Sequence, residues 1–233
     1  MFRLKEIEEP VVIREGDTFK VVLSKYGALA LDKQENLSEL IGDREGDLDL
    51  EKGVLTFGDD IEFPIQVLGF YSDELNQWSW AWDSEEIFGS ELIKAAAEMR
   101  QAGIDAGIPE FSSPIVKADY DRCHTLAMAT VGILDFDAYY AFNEDGLDIF
   151  VAIEAGNIEE HDSVQKFRDT FYIFQKNFNI YPKIAFESYT KLKNYRYKEN
   201  ADFSIAYIGE DRVFSGFTER GNVTRIQMFL GDD

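Results

Sequence analysis

Residues 68–83 read L-G-F-Y-S-D-E-L-N-Q-W-S-W-A-W-D and contain all three tryptophans of the 233-residue chain. Trp78, Trp80 and Trp82 occupy alternate positions, and a β-strand sends every second side chain to the same face. The preceding run, residues 61–71, alternates in the same way, and a turn-rich segment separates the two runs. The stretch therefore predicts an antiparallel hairpin with the three tryptophans on one face, and this hairpin marks the position of the core.

Periodic segments on both sides of the hairpin predict helices and further antiparallel strands. A helix capped by Asp17 or Thr18 runs to about Ile41, and a helix after the tryptophans ends at Gly103 and Gly107. The other predicted elements are a hairpin over 48–57, a helix over 119–134, a hairpin over 136–154, helices over 164–178 and 182–195, and strands over 203–208, 212–218 and 223–229. This order predicts an α+β fold, with antiparallel hairpins and meanders packed against amphipathic helices.

A boundary after residue 156 divides these elements into two predicted domains, 1–156 and 157–233. The first helix of the second domain has an aromatic stripe formed by Phe167, Phe171, Phe174 and Phe178. We expect this stripe to pack on the C-terminal strands, chiefly on Phe203, Ile205 and Phe214, because neighbouring elements usually pack together. Contacts of the stripe with the N-terminal half alone would instead indicate one merged domain.

The pairs Leu68-Gly69 and Tyr71-Ser72, followed by W-x-W-A-W, are similar to the signature of a bacterial domain family of unknown function. That signature reads approximately L-G-x-Y-S, a short gap and W-x-W-A-W-A-N, and the resemblance covers about residues 18–154. The chain departs from it at Asp83, where the family usually has a small residue followed by Asn. The resemblance implies a long opening helix, hairpins and a helix after the tryptophans, and it implies no established activity.

The chain has 45 acidic and 23 basic residues, which gives a formal net charge of −22. A field of this sign repels phosphates, so the composition disfavours nucleic acids and anionic membranes as partners. The same field accelerates encounter with a basic protein. The alternative interpretation is that the acidic surface only maintains solubility or reflects a salt-rich habitat.

The composition also predicts a cellular compartment. A single cysteine, Cys123, excludes an intramolecular disulfide framework and is typical of a reducing compartment. The N-terminal residues lack the apolar run of a signal peptide, and no stretch approaches the roughly 18 apolar residues of a membrane span. We therefore expect a soluble, cytoplasmic protein.

Motifs for catalysis and for metal or cofactor binding are absent from the sequence. It has two histidines, His124 and His161, and it has no zinc-ligand spacing, phosphate-binding glycine loop or nucleophile elbow. Cys123 and His124 are adjacent, but neighbouring helical side chains point about 100° apart and do not face each other. We therefore predict no catalytic residue, no metal site and no cofactor, which favours a non-enzymatic protein.

Acidic residues in predicted turns and the tryptophan face are the remaining candidates for a binding site. The candidate residues are Asp59, Asp60, Glu62, Asp73, Glu74, Trp78, Trp80, Trp82 and Asp83. Asp59-Asp60 precede the strand over 61–71 and Asp73-Glu74 follow it, so we expect two exposed patches at its opposite ends. The tryptophan face is either core or a cavity for a flat ligand, and burial is favoured because large aromatic side chains stabilise the fold.

Three functional hypotheses follow from these features. The first is an acidic bacterial binding protein, of the immunity type, that neutralises a basic toxin. The second is a small-molecule-binding module or an enzyme that uses the tryptophan face, with acids such as Asp83 or Glu85 at its mouth. The third is an interaction domain with an unrelated partner.

Overall fold

The computed structural model describes residues 10–144, 146–156, 158 and 161–231. Within these residues seven α-helices pack against antiparallel sheets of eleven strands, which confirms the predicted α+β fold. The helices are α1 Phe19–Ile41, α2 Glu85–Phe88, α3 Lys94–Ala106, α4 Pro109–Ser112, α5 Tyr120–Leu134, α6 Val164–Asn177 and α7 Pro182–Leu192. The strands are β1 Gly46–Asp49, β2 Val54–Phe57, β3 Ile61–Ser72, β4 Gln77–Trp80, β5 Ile115–Lys117, β6 Ala138–Glu144, β7 Leu147–Ile153, β8 Arg196–Glu199, β9 Phe203–Ile208, β10 Asp211–Phe217 and β11 Val223–Phe229.

The chain divides into two compact units. The C-terminal unit contains the described residues 10–13, 18–32 and 161–231. The tryptophan unit contains residues 14–17 and the described part of 33–158, and all three tryptophans lie in it. The first half of α1 therefore groups with the C-terminal elements, in contrast to the predicted division into 1–156 and 157–233.

β3 is the central strand of the tryptophan unit. The seven-stranded sheet has the order β1-β2-β3-β4-β5, and the β6–β7 hairpin joins it through β7, which pairs with β3. The first part of β3 pairs with β2, and its remainder pairs with β7 and β4. Helices α3 and α5 contact this sheet, and Met99 and Leu126 extend from them into the core.

The tryptophan strand is shorter than predicted, because β4 ends at Trp80. Its neighbour β5 pairs with the first three residues of β4, and the next position is Pro114. The carbonyl of Pro114 accepts a hydrogen bond from Trp80 N, but proline has no N–H to donate in return, so the ladder stops there. Ala81–Ser84 form a 3₁₀ turn instead, and Trp82 does not share the strand face of Trp78 and Trp80.

The observed bounds of α1 agree with the prediction, whereas α3 continues past one of its predicted ends, Gly103. Thr18 Oγ1 accepts a hydrogen bond from a backbone N–H of the first turn of α1, and Gly42 follows its end with a φ of 57°. Gly103 lies inside α3 rather than at its end. A Cβ at Gly103 would lie 2.6 Å from Cβ of Phe111, so the close packing of α3 against α4 requires glycine. Gly107, with a φ of 72°, ends the helix as predicted.

Four strands in the order β11-β10-β9-β8 form the sheet of the C-terminal unit. Helix α6 contacts β10 and β11, and helix α7 contacts β8 and β9. The buried side chains of β9 and β10 are Ser204, Ala206, Val213, Ser215 and Phe217. The two helices therefore cover one face of the sheet, and most side chains on that face are small.

The α6 stripe packs on the C-terminal sheet as predicted, but the predicted strand residues are on the wrong face. Phe203, Ile205 and Phe214 alternate with the buried positions of their strands, so they point away from α6 and α7. The limited volume between the helices and the sheet explains this orientation. The rings of Phe171 and Phe186 meet edge to face at 5.0 Å above the sheet, and Phe186 also meets Phe217 of β10 at 6.3 Å, so the other buried side chains of β9 and β10 are small.

Candidate functional site

Trp78 and Trp80 are fully buried, which confirms that this part of the tryptophan face is core. Trp78 covers Gly69, where a Cβ would lie 2.6 Å from the indole ring and 2.5 Å from the carbonyl oxygen of Ser79. Trp80 Nε1 donates a hydrogen bond to the backbone oxygen of Glu110 at 2.9 Å. Two parts of the stretch 68–83 thus meet in one contact, since only glycine at position 69 leaves room for the ring of Trp78.

Trp82 is half-buried and lies apart from the other two indoles. The guanidinium of Arg100 lies 4.3 Å from the centroid of its ring, so a cation already occupies one ring face. Trp82 lines an open cavity of about 560 Å³ together with Asp83, Ser84, Glu85, Glu86 and Ile87. Asp83 is exposed and lines the same cavity, so the structure places Asp83 and Trp82 together in the 3₁₀ turn that follows β4.

Cys123 is buried, and the half-buried His124 lies among aromatic rings. Burial raises the pKa of the Cys123 thiol to about 12, so the thiol stays protonated at neutral pH. Burial lowers the pKa of His124, whose Nδ1 lies 3.0 Å from the hydroxyl oxygen of Tyr139. The imidazole also meets Phe150 edge to face at 5.2 Å. Both residues therefore belong to the aromatic core of the tryptophan unit.

The described residues contain no convergent metal site. Among them, no group of three or more His, Cys, Asp or Glu side chains is arranged to hold an ion. In the same part of the chain, no helix combines the length and the apolar character that a membrane crossing requires.

Negative charge is concentrated in one unit. Among the described residues, the tryptophan unit has 28 acidic and 8 basic residues, a net charge of −20. The described part of the C-terminal unit has 9 acidic and 13 basic residues, a net charge of +4. A cationic partner attracted by this field is therefore attracted to the tryptophan unit.

Strand pairing assembles an acidic surface at one end of the tryptophan-unit sheet. Thr56 of β2 pairs with Asp47 on one side and with Glu62 on the other, so the three side chains form one row on the solvent face. Asp59 and Asp60 lie exposed in the adjoining β2–β3 turn. We call Glu45, Asp47, Asp59, Asp60 and Glu62 the acidic sheet end. Sequence reasoning missed Asp47, which lies just outside the predicted hairpin over 48–57.

Asp73 and Glu74 form a separate exposed group at the other end of β3. The 12 residues of β3 span roughly 40 Å at about 3.3 Å per residue, so the two groups cannot act as one patch. Tyr71 donates a hydrogen bond to Asp73 Oδ1 at 3.2 Å, which holds this carboxylate near the strand. Both the exposure and the separation agree with the prediction from the sequence.

These features define an α+β protein whose tryptophan unit combines a buried aromatic core with an exposed, strongly acidic surface. Residues 20–155 match the model of a family described as a family of unknown function (DUF6882), and because this match covers more than half of the chain, the chain belongs to that family. No curated protein and no solved structure matches the chain. The matched region includes β1–β7 and the acidic sheet end, and it ends before the elements α6 to β11.

Proposed function

We propose that the protein is a non-enzymatic binding protein whose tryptophan unit captures a basic protein, in the manner of a bacterial immunity protein that neutralises a basic toxin. The observation that carries the proposal is the net charge of −20 on the described residues of the tryptophan unit. We place the action in the cytoplasm, where a lone cysteine such as Cys123 stays reduced.

The acidic sheet end is the part of this surface best suited to contact a cationic protein. Its strand residues Asp47 and Glu62 are held in fixed positions by the β-ladder, so little conformational freedom is lost on binding. Asp60 lies 3.8 Å from the exposed guanidinium of Arg44, a separation and exposure at which an ion pair is weak. The carboxylates of the acidic sheet end are therefore available to a partner, and their field accelerates encounter with a cationic protein.

The positions of the tryptophans favour this proposal over a small-molecule site. Trp78 and Trp80 have no exposed surface for a ligand to contact. Trp82 reaches an open cavity, but Arg100 covers one face of its ring. A flat ligand at Trp82 would gain little of the enclosure that small-molecule sites provide.

The first test is biological and uses the gene neighbourhood in the native host. We expect the gene to lie beside an open reading frame for a basic toxin, and we expect co-expression to restore growth to cells that express that toxin. The complex should also be recovered when the two purified proteins are mixed. Growth arrest that persists on co-expression, together with no complex in vitro, would contradict the proposal.

The second test measures the association rate with that partner by stopped flow at several salt concentrations. Replacing Asp59 and Asp60 by Asn removes two charges from the acidic sheet end, and the control Asp73→Asn with Glu74→Gln removes two from the other end of β3. We expect the first pair to slow association at low salt by about three- to tenfold and the control to change it less than about twofold. An association rate that does not depend on salt would exclude electrostatic capture.

A further inference from the structure

The C-terminal sheet has a second face, turned away from α6 and α7, that is basic and aromatic. Strand pairing arranges its side chains in three rows, namely Arg196, Tyr207, Arg212 and Phe229, then Lys198, Ile205, Phe214 and Gln227, then Phe203, Gly216 and Arg225. Every charged residue in these rows is basic, although acidic residues outnumber basic ones by 45 to 23 in the whole chain. We call this surface the basic sheet face.

Among the described residues, the cations of the basic sheet face have no carboxylate partners. Arg196, Arg212 and Arg225 are exposed, and Lys198 is half-buried. None of the four forms an ion pair with any acidic residue that the structure describes. Their charge is therefore not neutralised within the described chain and remains available to a partner.

Aromatic rings hold three of these cations in place. Arg225 lies 4.7 Å from the ring centroid of Phe214, and Arg212 lies 5.1 Å from that of Phe229. Lys198 lies 5.7 Å from the ring centroid of Tyr207, which is on the neighbouring strand β9. Such cation–π contacts restrict long, flexible side chains before any partner arrives, which lowers the entropic cost of binding.

The same contacts favour carboxylates over nucleic-acid bases as the bound groups. A base would stack on an open ring face. On the basic sheet face, Phe214 stacks with Phe203 at 5.4 Å and is also covered by Arg225, so its faces are occupied. A guanidinium group that lies over a ring can still donate hydrogen bonds from the N–H groups at its edge, and two of these N–H groups match the two oxygens of a carboxylate.

We propose that the basic sheet face binds an acidic segment of a partner protein, with Arg212 and Arg225 each binding a carboxylate. The inference goes beyond the proposed function, because it adds a second protein-binding surface of opposite charge in the other unit. Residues 196–229 also lie outside the region 20–155 that the family model matches.

The test uses the full chain and fluorescein-labelled poly-L-glutamate, with binding followed by fluorescence anisotropy near 0.15 M salt, where the Debye length of about 8 Å keeps the field of distant acids weak. Arg212→Gln with Arg225→Gln removes two cations from the face. The control, Lys176→Gln with Arg220→Gln, removes two exposed cations of the same unit that lie off the face, and Lys176 also lies over a ring, that of Tyr172. We expect about a tenfold loss of affinity in the first variant and less than about twofold in the control.

A third variant, Arg212→Lys with Arg225→Lys, keeps the charge but loses the planar guanidinium, and we expect an intermediate loss. Circular dichroism establishes that all variants are folded. The proposal is overturned if poly-L-glutamate does not bind, or if the face variant and the control weaken it equally. Tighter binding of oligouridylate than of poly-L-glutamate would replace it with a nucleic-acid surface. Self-association that the face variant abolishes, with no binding of the probe, would replace it with an interface between copies.

Discussion

The two units present opposite charge on the same kind of scaffold. In the tryptophan unit, the solvent face of β1–β3 exposes Asp47 and Glu62 in one cross-strand row. In the C-terminal unit, the open face of β8–β11 exposes Arg212 and Arg225. The formal net charge of −22 therefore describes neither unit, and an argument from it about partners applies to only one of them.

The interiors of the units differ as well. Both units pack aromatic side chains in their interiors, but the C-terminal unit also contains a buried carboxylate, Asp32, which is 2% exposed. Tyr189 donates to Asp32 Oδ2 at 2.9 Å, and Lys193 Nζ lies 3.3 Å from the same oxygen. Lys166 Nζ lies 2.9 Å from Oδ1 without the alignment of a hydrogen bond, so charge alone holds that contact. Burial, and then the charge of Asp32, raise the pKa of Tyr189 well above its usual value.

The largest expected effect concerns the buried tryptophans in the core of the tryptophan unit. Trp80→Ala should lower the free energy of unfolding of the tryptophan unit by about 3–5 kcal/mol, because it empties a fully buried site. Denaturation followed by fluorescence of Trp78 and Trp82 reports this unit, since it contains every tryptophan. A variant that melts within a degree or two of the wild type would show that the face is not core.

Asp32→Asn tests how much the buried carboxylate stabilises the C-terminal unit. We expect a loss of about 3 kcal/mol, because the substitution leaves Lys166 and Lys193 buried with less compensating charge. Far-UV circular dichroism should show the loss, while tryptophan fluorescence should change less. Glu91→Gln breaks an exposed ion pair with Lys94 and serves as the control, with an expected change below about 1 kcal/mol. Equal shifts in both signals would mean that the two units unfold as one.

Gly69→Ala should destabilise the tryptophan unit by about 1–3 kcal/mol, since the added Cβ overlaps the ring of Trp78 and the carbonyl of Ser79. The control is Gly46→Ala, where the nearest atoms are ring carbons of Phe57 and Tyr140 at 3.0 Å and 3.2 Å, so the added Cβ overlaps its neighbours less than at Gly69. Urea denaturation followed by fluorescence compares the two. An equal cost at both positions would contradict the proposed contact between glycine and indole.

The smallest effect concerns Glu187 of the C-terminal unit, whose pKa is raised by burial. The folded state therefore binds this proton more tightly than the unfolded state does, and the resulting stability is lost as pH rises through the folded pKa. Glu187→Gln should leave the melting temperature nearly unchanged at pH 4. At pH 7 it should raise stability by less than about 1 kcal/mol. A variant that is less stable than the wild type at pH 7 would show that the attraction to Lys183, 3.8 Å away, dominates.

The sequence predicted what local chemistry determines. Hairpins follow from alternation and turn residues, and the cap at Asp119, whose side chain accepts from Arg122 N at 2.8 Å, follows from its position before an apolar stripe. The end of β4 was missed because it depends on Pro114, which is distant in sequence from Trp80. The acidic and basic rows were missed because each is assembled from three or four strands, and their register is set by packing rather than by any one segment.

The first half of α1 has its partners far along the chain. Gly27 packs against Phe174 of α6, and Ser24 Oγ accepts a hydrogen bond from Tyr181 N at 2.8 Å. The first half of α1 and the C-terminal elements form one core, but about 130 residues, nearly all of the tryptophan unit, are translated between them. Their synthesis takes on the order of 10 s at about 5–20 residues per second. During synthesis the tryptophan unit is thus complete while the apolar side of the half-helix, with Phe19 and Val22, still lacks its cover. A nascent chain at this stage therefore exposes apolar surface that the folded protein buries.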